Sequence, residues 1–82
     1  MTRADPHQEF FGPFAELSRF LSVYQVHRLQ QSGWTVYLLV QAYEAEDYAF
    51  LYEELELTQS GLRFQFRTLL RNLAEAAADP SY

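Results

Sequence analysis

Leu55-Glu56-Leu57-Thr58-Gln59-Ser60-Gly61-Leu62-Arg63-Phe64-Gln65-Phe66-Arg67 is the stretch whose reading decides the fold. Read with period two, Leu55, Leu57, Leu62, Phe64 and Phe66 alternate with polar residues around Gln59-Ser60-Gly61, the pattern of a β-hairpin. Read with the helical period, Leu62, Phe66, Leu69, Leu70, Leu73 and Ala77 fall on one stripe of a helix that starts at Ser60 and runs through the Ala-rich end to Ala78. The first reading gives an α+β fold, α-β-β-β-α, with residues 34–43 as the third strand of an antiparallel meander. The second gives an all-α domain. The helical reading is preferred, because this stripe, continued by the Ala-rich end, makes the clearest helix in the chain.

Outward from this stretch, the residues before it fit either reading. Trp34 to Tyr43 are apolar almost all round and rich in β-formers, so periodicity does not separate a buried helix from a buried strand. Asp47 is expected to cap a helix beginning at Tyr48, with Glu44, Glu46 and Asp47 at the positive end of its dipole, and Tyr48, Leu51, Tyr52 and Leu55 on one face. Further upstream, Gly12-Pro13 reads as the start of a long N-terminal helix over 13–31 that Ser32-Gly33 ends. Its apolar positions Phe14, Leu17, Phe20, Leu21 and Tyr24 form a face broader than a small core needs, which predicts a homodimer interface. Residues 1–9 and 80–82 are expected to be loose tails of a single domain spanning 1–82.

Composition limits the function. The 82 residues carry 49% apolar side chains and 14 aromatic rings, so a core is feasible without metal or disulfide, but several rings must stay exposed. Tyr37, Tyr43, Phe50 and Phe64 are the expected exposed set, and clustered they would mark a protein interface. Without cysteine there is no disulfide framework, thiol nucleophile or Cys-based zinc site. The N-terminus lacks the apolar run of a signal peptide and no stretch approaches a membrane span, so a cytoplasmic address is expected. His7 in the expected tail and His27 near the end of the first helix make no i, i+4 metal pair, and His27 is expected at the surface or a dimer edge. Adjacent Glu53 and Glu54 point about 100° apart on a helix and make no acid–base pair. No catalytic triad or phosphate loop is visible, so the chain is not expected to be an enzyme, and no cofactor, metal or small-molecule substrate is implied.

The charge is −5 overall and unevenly placed. Residues 44–56 hold six carboxylates and no base, while residues 57–73 hold Arg63, Arg67 and Arg71 and no acid. All six basic residues are Arg, the side chain suited to bidentate contacts with phosphate, guanine or carboxylate. The Arg row is spaced by four along one side of a helix, which suits a phosphate track and equally a solvated face. The acidic block is read either as a solvated helix or as a partner for the Arg row of a second subunit.

On the helical reading, Asp47 to Leu69 resembles the central part of winged helix-turn-helix transcription regulators. Leu57, Leu62, Phe66 and Leu69 fall at that family's apolar offsets, and Thr58 stands where a hydroxyl caps the second helix. The resemblance covers residues 34–73. Glu56 takes the place of the family's turn Gly, Tyr52 that of its small residue at the helix crossing, and no room is expected for the β-hairpin wing. The resemblance implies a DNA-reading helix from Gln59, with Gln59, Ser60, Arg63 and Arg67 toward the groove and Arg71 toward the backbone. The expected function is a small DNA-binding, homodimeric transcription regulator. The alternative is a protein-binding adaptor or inhibitor, of the kind phages and plasmids carry, using its aromatic and acidic surface.

Overall fold

The computed structural model describes residues 5–79 and contains, in order, α1 (Pro6–Phe11), a 3₁₀ segment (Gly12–Ser18), α2 (Val23–Gln31), α3 (Val36–Glu44), α4 (Phe50–Glu54) and α5 (Ser60–Ala78). No strand occurs among the described residues, so the fold is all-α and the meander is excluded. The hairpin reading failed because two patterns overlap in Leu62-Arg-Phe-Gln-Phe. Phe66 is fully buried on the helical stripe, whereas Phe64 faces outward at 62% exposure.

The long helix is C-terminal, and the expected N-terminal helix over 13–31 is broken into separate elements. Three local signals set the elements found there instead. Asp5 accepts the His7 amide and Pro6 opens α1, the Asx-cap followed by Pro that starts a helix. Gly12, at φ 58°, ends α1, and the chain tightens into the 3₁₀ segment. Ser22 then turns extended and forms a complete capping box with Gln25, which starts α2 afresh. Residues 5–9 are therefore ordered structure rather than tail, while the expectations for 1–4 and 80–82 lie outside the described residues.

Breaking that helix also scatters its expected interface. Leu21 is 2% exposed in the core, Phe14 packs half-buried against it, and Leu17 and Tyr24 stand out at 48% and 58%. Phe14, Leu17, Phe20, Leu21 and Tyr24 do not share one helical face, because they lie on a 3₁₀ segment, a turn and a new helix.

The core is built around α5, whose Phe66, Leu69, Leu70 and Leu73 recur at i, i+3, i+4 and i+7 and are fully buried. Ala77, expected on that stripe, is exposed beyond the last buried turn. α3 packs along α5 with Leu39 and Val40, α1 packs on the 3₁₀ segment and α2, and α2 and α4 bury Val26, Leu29, Leu51 and Leu55 in the same cluster. Thr35, whose hydroxyl accepts the Leu38 amide, caps α3 and resolves residues 34–43 as helix.

α2, α3 and α4 all end in the same way. Just beyond each helix an amide donates to the carbonyl five residues back: Trp34 to Leu29, Asp47 to Ala42 and Leu57 to Tyr52. The residue before it is left-handed and donates to the carbonyl three residues back, so all three ends are Schellman motifs. Their left-handed residues are Gly33 at φ 80°, Glu46 at φ 55° and Glu56 at φ 56°. Two junctions thus place a glutamate in the conformation that suits glycine best.

These ends also correct the expected electrostatics. Asp47 does not cap α4; its amide completes α3, and Ala49 occupies the cap with no side-chain bond. Glu44 and Glu46 lie at the C-terminus of α3 and Glu53, Glu54 and Glu56 at that of α4, the negative rather than the positive ends of the helix dipoles. Thr58 likewise caps nothing, because α5 begins one residue later with Gln59 at the cap and no side-chain bond.

Candidate nucleic-acid interface

The outer face of α5 runs about 28 Å at 1.5 Å per residue and carries all three Arg of the basic segment. Gln59 and Ser60 lie exposed at its leading end. Arg63 turns back: its Nε donates to the Leu57 carbonyl at 2.7 Å, and its guanidinium lies 5.2 Å from the centre of the Tyr52 ring. The left-handed Glu56 turns the chain out of α4, and the Arg63 side chain closes the junction on the next carbonyl along. Arg63 therefore holds the turn between α4 and α5, a role its spacing did not suggest.

Arg67, one turn on, donates from Nη1 to the Tyr52 hydroxyl at 3.1 Å and lies 6.0 Å from the Phe64 ring centre. The Tyr52 hydrogen bond raises its already high pKa, so it is a permanent cation. Arg71 is exposed a further turn along. Among the described residues none of these three guanidiniums forms an ion pair. The contrast with the rest of the protein is sharp. Arg19 is bound by Asp5 at 2.7 Å and Glu16 at 3.4 Å, and Arg28 by Glu54 at 3.3 Å.

Aromatic rings replace carboxylates around the row. Tyr43, from the last turn of α3, stacks on Tyr48 at 5.7 Å and 28°, across the turn made by Glu46. Tyr48 meets Tyr52 edge-on at 6.2 Å, and Tyr52 meets the buried Phe66 at 6.4 Å. A ladder of rings thus runs from the surface to the core, and Tyr52, the bulky residue at the α4–α5 crossing, is its hub. Tyr43, Tyr48, Phe64, Arg67, Thr68 and Arg71 enclose an open hollow of about 220 Å³. Sequence reasoning marked the Arg row but missed the part Tyr48 and Tyr52 play beside it; their spacing of four on the expected helix was the available signal.

Two further depressions are apolar. Trp34, Leu38, Ala42 and Phe50, with Asp47 at the rim, line a groove of about 440 Å³, where Trp34 and Phe50 lie 5.8 Å apart. Leu17 and Phe20 line a smaller hollow of about 170 Å³ with Phe64 and Leu69. His27 is exposed. His7 is buried, its Nε2 2.8 Å from the Leu21 carbonyl, so it ties α1 to the end of the 3₁₀ region rather than lying in a tail. Among the described residues no three His, Asp or Glu side chains converge as metal ligands, and no helix is long and apolar enough to cross a membrane.

Comparison with protein-family models, with curated proteins and with solved structures finds no match.

Proposed function

We propose that this chain is a small DNA-binding regulator of helix-turn-helix type that presents the outer face of α5 to a nucleic-acid backbone. One observation carries the reading. In a chain of net charge −5, the three Arg of α5 form no ion pair among the described residues, although the Arg of α2 and the 3₁₀ region do. Carboxylates outnumber bases almost two to one, so a row left without them is suited to an anion from outside. Arg67 and Arg71 make the phosphate contacts, Gln59 and Ser60 lead into the groove, and Arg63 supports them by fixing the turn. Tyr52 fills the helix crossing in place of a small residue, and Glu56 adopts the left-handed conformation for which the family's turn uses Gly.

A duplex-binding titration tests this. Each lost phosphate contact lowers the slope of log affinity against log salt by roughly 0.9, so Arg67→Ala with Arg71→Ala lowers it by about 2. A purified protein with no duplex affinity at low salt overturns the proposal. Dimerisation forms part of it, through Leu17 and Phe20 at the smaller hollow; a strict monomer in light scattering at tens of micromolar removes that part.

The groove at Trp34, Leu38 and Phe50 favours a second reading, a protein-binding adaptor. Phe50 is 48% exposed there, beside the acidic rim residue Asp47. A partner captured through this groove remains bound after nuclease treatment and is released by Phe50→Asp.

A further inference from the structure

We infer that the hollow between α3, the turn that precedes α4, and α5 holds one unpaired nucleotide of single-stranded DNA, its base against Phe64 and the Tyr43–Tyr48 stack and its phosphate on Arg67 and Arg71. The inference rests on the nucleic-acid reading of α5 and narrows it, because a phosphate track alone is served by duplex and single strand alike.

The walls make the distinction. Three rings line the hollow, and Phe64 is exposed in the middle of the basic face, with Arg67 6.0 Å from its centre. An apolar ring beside the phosphate-binding Arg67 contributes nothing to a duplex backbone, whose base faces are hidden in the stack. It is the partner an unstacked base requires, since every base has a π-face and an Arg above a ring adds a cation–π contact. The hollow is open and of about 220 Å³, enough to admit a flat heteroaromatic ring.

The polar groups are placed to match. Among the described residues the Tyr43 and Tyr48 hydroxyls make no hydrogen bond within the protein, and Thr68 lies between Arg67 and Arg71 in the lining. Arg67 is held by Tyr52, so its position is set before a ligand arrives, while Arg71 is free to close on a phosphate. The acidic net charge repels a long duplex more than a short flexible strand, and stacking operates at contact irrespective of that field.

Fluorescence polarisation at low salt with a labelled mixed-sequence 12-mer single strand, and with the same sequence as a duplex, tests the inference. Phe64→Ser is the main variant because the ring is mostly exposed and its loss leaves the core intact; circular dichroism verifies the fold. We expect Phe64→Ser to weaken single-strand binding about tenfold with less than twofold change for the duplex, and Tyr43→Leu to act in the same direction. Arg67→Ala with Arg71→Ala weakens both. If the parent binds duplex but not single strand, or if folded Phe64→Ser and Tyr43→Leu bind the single strand as the parent does, this inference falls and the backbone reading of α5 stands. If the parent binds neither, both fall.

Discussion

Replacing Glu56 with Gly makes the protein more stable. Glu56 sits at φ 56° in the Schellman motif that ends α4, with its amide on the Glu53 carbonyl and its own carbonyl accepting from Thr58. Both bonds are backbone and survive the substitution, and the side chain is exposed, so no packing is lost. A residue with a Cβ loses about 1 to 2 kcal/mol in the left-handed conformation, which glycine adopts freely. Glycine's greater freedom in the unfolded chain opposes this by about 0.4 to 1 kcal/mol. Removing a carboxylate from a helix C-terminus adds about 0.3 kcal/mol or more. The net expectation is about 1 kcal/mol, which for a domain of this size raises Tm by about 4 to 8 °C. Calorimetry or urea denaturation followed by circular dichroism measures it. Glu56→Ala separates the causes, since it removes the charge and keeps the Cβ. A Gly variant no more stable than the Ala variant refutes the reasoning, because the left-handed turn would then carry no conformational cost.

Three further outcomes are expected from single contacts. The Gln25 side chain accepts the Ser22 amide and donates to the Leu55 carbonyl, joining the start of α2 to the end of α4; Gln25→Ala should cost about 1 to 2 kcal/mol, and Gln25→Glu should not restore it, since a carboxylate keeps the first bond and opposes the second. Phe66 is fully buried at the foot of the ring ladder, so Phe66→Ala should cost about 3 to 5 kcal/mol, a large share of the stability of a domain this small, seen as a lowered or lost cooperative unfolding transition in urea. The hydrogen bond from Arg19 holds the Asp5 carboxyl below its usual 3.8. Its stabilising contribution is therefore full above that value and is lost as pH falls through the lower folded pKa, so Asp5→Asn should be less stable than the parent at neutral pH and equal to it in strong acid, as urea denaturation across that range measures.

The long helix was legible in the sequence, because α5 carries an uninterrupted stripe from Leu62 to Leu73, whereas α3, apolar almost all round, reads as helix or strand alike until the Thr35 cap resolves it. The N-terminal third was misread for a specific reason. Leu17, Leu21 and Tyr24 happen to fall at helical spacing, and that coincidence outweighed the shorter signals Asp5-Pro6 and Ser22-x-x-Gln25, each a complete start of its own. The site was legible in part. The spacing of Arg63, Arg67 and Arg71 reveals a row, but which of them is occupied depends on the Leu57 carbonyl, and that carbonyl is turned toward Arg63 only after a left-handed glutamate. The stack of Tyr43 on Tyr48 depends in the same way on Glu46. No propensity argument places a glutamate in that conformation; the helix-end hydrogen bonds of the folded chain impose it.

Trp34, the single tryptophan, lies half-buried against Phe50 in the groove beside α3, and that groove shares no lining residue with the Arg and tyrosine hollow. The protein thus contains a built-in optical address. An occupant of the groove would displace water from around the indole and shift its emission, whereas a strand in the hollow would meet Tyr43 and Tyr48 first. The unlabelled protein's own light would thus tell occupation of the one hollow from occupation of the other.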